Sequence, residues 1–411
     1  MQSLLLLAAD APVMPMSLRV PMSVMMFLEF AIWGAWFVVL GNYLNSLNFT
    51  RKEIARVYAT MPIGSIIAPM FVGTIADQYF AAEHVMVASQ LVGGALLLWL
   101  AQIRTPKAFF VVALIYAIVY SPTLSLVNAV YFRNFADENQ FASIRVFGTI
   151  GWIVAGMSLK LFIKPGQPVN NRPILLAALF SFLLGAYSFY LPHTPPAATT
   201  GDEVPFLQAL GMFRDPQSAI FFAGSLVVAM AMAVYFAFAA LFLEQGAKVK
   251  PENVGPVMTI GQWVEIFFLF SLPWFIENWG MRTVLIVGMT AWALRFAIFS
   301  SEPLFPLIVV AVGLHGICFD FFFAAGFIHT QNIAPKEIVA SAQSLYGVLV
   351  YGLGMWLGTE LAGWLNQRYT RETIDPATGR KTAVTDWRKF WLIPCIGVVI
   401  ALAAFVAFFR A

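Results

Sequence analysis

Five ionisable side chains stand inside long apolar runs of this sequence: Glu29, Arg145, Glu265, Arg295 and Asp320. An ionisable group at bilayer depth costs ~2.5–3.5 kcal/mol on insertion scales and is a functional candidate by default. Carboxyl groups placed there are suited to carrying protons. A low dielectric disfavours the charged form, so a midplane acid can take up and release a proton near neutral pH. If protonation favours binding of a solute, linkage makes the two affinities reciprocal, and a proton gradient can drive accumulation. Asp320 and Glu265 lead as proton-coupling acids, with Glu29 third. The competing reading of each acid is structural, a tie to Arg145 or to a helix carbonyl on a neighbouring helix. Arg295 lies about five positions from the end of its apolar run, close enough to snorkel to the interface, so an anchoring role is expected of it.

Residues three, four or seven apart share one helix face. That spacing groups Glu29 with Trp33 and Trp36, Gln262 with Glu265, and Arg145 with Thr149 and Trp152. Aromatic faces carrying a few polar groups suit a ligand that is both stacked and hydrogen-bonded, as a base joined to a sugar would be. The same aromatics serve equally as packing or interface belts. His315 stands five residues before Asp320, roughly 140° around an ideal helix, so the two do not share a narrow face. Gly354 and Gly358 form a GxxxG that predicts close helix packing.

Long apolar helices must position these groups. The chain has 411 residues, 60% apolar and 11% charged, against roughly 25% charged in soluble domains. A spanning helix needs ~20 mostly apolar residues, and backbone polar groups in lipid must pair internally, so such runs are helices; the alternation of a β-barrel is absent. Runs fall near 20–44, 54–76, 83–103, 107–131, 143–163 and 172–191, then 217–244, 253–277, 282–299, 303–329, 337–365 and 387–409. The expected class is an all-α membrane protein with twelve transmembrane helices in two six-helix halves. Residues 1–19 read as a leader, 20–191 as the N-terminal half, 192–216 as a polar, Pro-rich cytoplasmic linker and 217–411 as the C-terminal half. Two such halves suggest a site at the midplane that opens to alternate sides.

Other classes find little support. The net charge is +3, without a basic cluster of the kind that grips nucleic acid. Cys318 and Cys395 lie in apolar runs and outside any metal-ligand spacing, so they read as small hydrophobes. No HExxH, GxSxG or phosphate loop marks an enzyme, and the sequence calls for no cofactor or metal. A monomer is expected.

The segment Gly73-Thr74-Ile75-Ala76-Asp77 resembles the G-x-x-x-D start of the major facilitator loop motif, with Gln78 where an Arg usually follows. It places that loop, and with it both termini, on the cytoplasmic side. The positive-inside rule points the other way, because Arg51, Lys52, Arg104, Lys107, Lys164, Lys248, Lys250 and the cations of 368–389 then fall outside.

Longer segments carry a family resemblance. Phe27–Trp36 (FLEFAIWGAW), Tyr120–Asn128 (YSPTLSLVN), Arg145–Gly151 (RVFGTIG), Ala291–Phe296 (AWALRF), His315–Asp320 (HGICFD) and Thr385-Asp386-Trp387 resemble the bacterial nucleoside:proton symporter family of the major facilitator superfamily. The resemblance runs over nearly the whole chain. It implies a twelve-helix inner-membrane protein that imports nucleosides with protons. It also implies that Arg145, Thr149, Gln262, Glu265, Phe319 and Asp320 line a substrate cavity, with Trp152 at an aromatic position. Two amide positions of the family hold Ala233 and Phe236 here. A site built to bond a polar group discriminates strongly, so their loss can change the substrate class. Tyr235, Glu29 and His315 are the candidates to replace them, and Trp33 completes the candidate binding set. The cargo therefore stands between a nucleoside and a sugar, nucleobase or other small polar metabolite, and a sensor that binds without transport is the reading from another class.

Overall fold

The computed structural model describes residues 14–68, 80–135, 138–163, 167–195, 209–301, 304–335, 339–374 and 381–410. The Gly73–Asp77 motif, Lys164 and much of the linker lie outside the described residues. The chain is nearly all helix. In order come α1 (Met16–Ser46), α2 (Arg51–Ala68), α3 (Ala82–Leu100), α4 (Pro106–Tyr120), α5 (Thr123–Asn134), α6 (Glu138–Phe162) and α7 (Arg172–Tyr187). Then follow α8 (Pro216–Gln245), α9 (Pro251–Trp279), α10 (Met281–Ser300), α11 (Phe305–Ile333), α12 (339–369) and α13 (Trp387–Phe408). Among the described residues ten helices are long and apolar enough to cross a membrane.

Local chemistry sets the ends. Proline, whose missing N–H costs nothing in the first turn, opens α4, α8 and α9. At α2 a capping box closes: the Thr50 amide donates to Glu53 Oε2 at 2.8 Å and the Glu53 amide to Thr50 Oγ1 at 3.3 Å. Asp215 and Asp386 cap α8 and α13 by accepting from the Ser218 and Lys389 amides. Gly280, at φ +77°, makes the sharp turn between α9 and α10 that a side chain would strain.

Three departures from the sequence expectation have local causes. Helix α1 begins at Met16, inside the stretch read as leader, because the Pro15 carbonyl accepts from the Leu18 and Arg19 amides. The run at 107–131 is interrupted at Ser121-Pro122, between α4 and α5, where Pro122 has no amide to continue the helix. The polar connector before α13 holds an antiparallel pair, β1 (Thr370–Ile374) with β2 (Lys381–Thr385), which is rich in β-branched residues.

Packing sorts the helices. α1 lies against α6 and α7, α3 against α7, and α2 against α4; after residue 209, α8 lies against α12 and α13, α9 against α11, and α10 against α13. The two groups meet along α2–α12 and α6–α9. Small residues permit those seams. A Cβ on Gly363 would reach the Ala55 Cβ, and one on Gly255 would stand 2.8 Å from the Gly156 carbonyl oxygen. Within the second group, Gly354 and Gly358 seat α12 on Ala229 and Ala233 of α8, as their spacing predicts. At one end of the bundle the groups are also tied by polar contacts. Asn42 donates to the Ala240 carbonyl at 3.3 Å and to the Glu244 carboxylate, and Arg51 Nη2 donates to Gln245 Oε1 at 3.1 Å.

Candidate functional site

Four helices bring charge together at the seam. α6 contributes Arg145 and, one turn on, Thr149; α9 contributes Gln262 and Glu265; α11 contributes Asp320; and α12 contributes Tyr351. Thr149 Oγ1 donates to Glu265 Oε1 at 3.4 Å, a polar contact between the two groups. Arg145 lies within electrostatic reach of Glu265, Tyr351 and Asp320. Its guanidinium carbon also sits 4.0 Å from the centre of the Phe30 ring, a cation–π contact across the α1–α6 crossing.

Glycines set the spacing. A Cβ on Gly316 would meet the Glu265 amide nitrogen at 2.7 Å and the Val264 carbonyl oxygen at 2.8 Å, so α11 approaches α9 as closely as it does because residue 316 has no side chain. On the other side, Gly151 lets α6 reach the Phe27 carbonyl of α1. Two wide helical turns, with i→i+5 hydrogen bonding, fall at this level: Asp320–Ala324 in α11 and Val348–Gly354 in α12. Each shifts the helix phase locally, and such turns are frequent at functional sites. One begins on Asp320 and the other contains Tyr351.

Several polar atoms here are buried without a hydrogen-bond partner in the protein: Asp320 Oδ2, Gln262 Oε1 and Trp33 Nε1. Buried polar atoms are nearly always satisfied, so each of these can take a bond from a polar ligand.

Aromatic rings line the same region. Trp33 meets Trp152 edge-on at 5.5 Å, and Phe37 meets Phe236 at 6.4 Å, a contact between the groups. From Phe236 the wall continues to His315 at 6.0 Å, and His315 stacks on Tyr235 at 5.8 Å and touches Phe319 at 5.7 Å. His315 Nε2 faces Glu265 Oε2 at 3.8 Å. Glu265 on α9 stands near both His315 and Asp320 of α11. The segment between them, His315–Phe319, is α-helical, with a break before it at Leu314 and the wide turn from Asp320 after it.

Other candidates named from the sequence fall elsewhere. Glu29 is fully buried within the first group. Gln90 Nε2 donates to its Oε2 at 2.8 Å, Thr123 Oγ1 to its Oε1 at 2.6 Å, and the Tyr120 hydroxyl to its backbone carbonyl at 2.8 Å. The Glu29, Trp33 and Trp36 stripe thus divides: Trp36 packs inward on Tyr116, while Trp33 turns to α6. Ala233 is fully buried and packs on Gly358. Arg295 does not snorkel. It is 0% exposed, bonded to the carbonyls of α11 and covered by Tyr235 and Trp292. Distance from a helix end gives depth alone, and the side that Arg295 takes points into its own group. Periodicity along single helices does not single out Tyr351, Gln90 or Thr123. The signal for Tyr351 is a hydroxyl among the glycines 347, 352 and 354 of an apolar run.

Comparison with known proteins adds to this geometry. The family model described as "Nucleoside H+ symporter" matches residues 16–411. YegT of Escherichia coli (strain K12) is 34% identical over 406 residues, covering 95% of this chain and 93% of that protein. The xanthosine permease of the same organism is 32% identical over 401 residues, covering 92% of each. The crystal structure of the nucleoside transporter NupG superposes with a TM-score of 0.83 at 29% identity, over 96% of this chain and 100% of that one.

Proposed function

This chain belongs to the nucleoside H+ symporter family, and on that premise we propose that it imports nucleosides together with protons across the bacterial inner membrane by alternating access. The observation that carries the mechanism is the meeting of Arg145 and Thr149 from the first helix group with Glu265, Asp320 and Tyr351 from the second. One guanidinium balances one carboxylate. The second carboxylate is left buried and uncompensated unless it holds a proton. A proton on Asp320 or Glu265 thereby neutralises the site and frees hydrogen-bonding capacity for a polar solute, and its release restores the ionic tie between the groups. Trp33, Trp152, Phe319 and Phe236 supply stacking surface, and Gln262, Thr149, Tyr235 and His315 supply polar contacts, for a base and its sugar.

The same reading assigns twelve transmembrane helices in two halves, 20–191 and 217–411, with both termini cytoplasmic, and a monomer as the working unit. The end tied by Asn42, Glu244, Arg51 and Gln245 is then the outer end, and these contacts close it. Glu29, with both carboxylate oxygens bonded inside its own group, acts as an interhelical tie, and coupling falls to Asp320 and Glu265. A second reading keeps the fold and coupling but changes the cargo. It is favoured by Phe236, an apolar ring in the wall where the family resemblance implies an amide.

Uptake of radiolabelled uridine and adenosine into proteoliposomes tests both. Uptake should rise with an inward proton gradient. In Asp320→Asn it should lose that dependence while exchange of internal for external nucleoside persists. Transport of a sugar or nucleobase with no nucleoside uptake would replace the first reading by the second.

A further inference from the structure

Arg295 lies behind the cavity wall, in the core of the second helix group, and no step above uses it. Its Nε donates to the Ala311 carbonyl at 2.9 Å and Nη2 to the Val312 carbonyl at 3.4 Å, just before α11 breaks at Leu314. The guanidinium carbon sits 4.3 Å from the Tyr235 ring centre and 4.8 Å from that of Trp292. The remaining arm, Nη1, faces His315 Nδ1 at 3.4 Å.

A guanidinium has five N–H donors and no acceptor. The Nδ1 atom it faces must therefore be the lone-pair nitrogen, which leaves the ring proton on Nε2. A second proton on the ring would set two cations side by side in an enclosure. The charged and titratable groups that face His315 are Arg295 from α10, Glu265 from α9 and Tyr235 from α8, with Cys318 and Asp320 three and five residues on in its own helix. Glu265 lies on the far side from Nδ1, where Nε2 points toward its Oε2.

We propose that Arg295 is a positioning residue that holds His315 as the neutral Nε2–H tautomer, so that His315 serves the cavity as a fixed hydrogen-bond donor and not as a carrier of the transported proton. This rests on the cavity reading above but sharpens it. With Ala233 packed against α12, Phe236 apolar and the Tyr235 hydroxyl directed at Met258 Sδ at 3.8 Å, a donor this wall offers is the Nε2–H of His315, aimed at Glu265 or at an acceptor on the solute, such as a base carbonyl or a sugar oxygen.

Nitrogen-15 NMR of histidine-labelled full-length protein in detergent tests the tautomer directly. The chain has four histidines, and the signals of His315 are those that vanish in His315→Gln. The expected pattern is a protonated Nε2 and an unprotonated Nδ1, unchanged between about pH 5 and 8, the range in which an ordinary histidine changes charge. In Arg295→Met the second tautomer or the cation should appear, while Arg295→Lys, which keeps a donor, should retain the wild-type pattern. In uptake assays His315→Gln, whose side-chain amide keeps an N–H near the ε position, should retain at least about half the wild-type rate with the same pH profile, whereas His315→Leu should weaken apparent affinity about tenfold. A wild-type ring carrying its proton on Nδ1, or charged within that range, would overturn the proposal, as would loss of the pH dependence of uptake in His315→Gln. Because the NMR signal requires no cargo, it decides the tautomer even if no nucleoside is transported.

Discussion

Replacing Glu29 by glutamine separates a coupling acid from an interhelical tie. In the ionised form Glu29 accepts from Gln90 Nε2 and Thr123 Oγ1, and Gln90 Nε2 also lies 3.2 Å from Thr123 Oγ1. A glutamine fits the same cage. Its oxygen takes the Gln90 bond and its amide donates to Thr123, whose hydroxyl then turns to the Tyr120 carbonyl 2.6 Å away. Every member stays satisfied, so Glu29→Gln should change stability by less than about 1 kcal/mol. Alanine leaves a Gln90 donor unpaired, about 1–3 kcal/mol, and opens a cavity worth ~2 kcal/mol more. The assay pairs thermal unfolding of purified protein with uptake at two external pH values. Glu29→Gln should unfold near the wild-type temperature and keep proton-driven uptake, and Glu29→Ala should unfold several degrees lower. If Glu29→Gln stays folded and exchanges nucleoside but no longer accumulates it with a proton gradient, Glu29 carries the coupled proton and the assignment of coupling to Asp320 and Glu265 alone fails.

Two further perturbations bear on the frame around the site. Gly316→Ala sets a methyl against the Val264–Glu265 backbone, which cannot move cheaply. About 1–3 kcal/mol of overpacking should spread α9 from α11 and lower uptake at least about tenfold. Gly397→Ala is the control, since its Cβ meets nothing within 4 Å. Removing the Asn42–Glu244 tie in Glu244→Ala deletes a charge-assisted bond worth roughly 2 kcal/mol, enough to move a two-state ratio about 30-fold toward opening of that end. Spin labels at the exposed Lys52 and Lys248 should then report a larger long-distance population, and an unchanged distance distribution would show that the tie does not hold the groups together.

What the sequence revealed, and what it withheld, follows from the range of each interaction. Hydrocarbon thickness fixes the length of a spanning run, so α8, α10 and α13 were legible to within a residue or two of their ends. Spacing along a regular helix carried Arg145 with Thr149 and Gln262 with Glu265. It does not reveal where a helix departs from regularity, as at the break at Leu314 and the wide turn from Asp320, because nothing in local composition announces such a turn. Partners across helices were beyond reach for the same reason. Gln90 and Thr123 find Glu29, and Arg295 finds His315, only after separate helices have packed.

That distinction between contacts within a helix group and contacts between groups is also why the proposed coupling rests on Glu265 and Asp320. The carboxylate of Glu29 is satisfied by α3 and α5, which share its group, so its charge state has little leverage on how the two groups sit against each other. Glu265 is held by Thr149 and Arg145 from the opposite group and faces His315 in its own. Asp320, with one oxygen unbonded, feels the same Arg145. A proton arriving on either of these two acids changes the energy of the seam itself, and a transporter that moves by rocking one group against the other can use a proton only where the seam registers it.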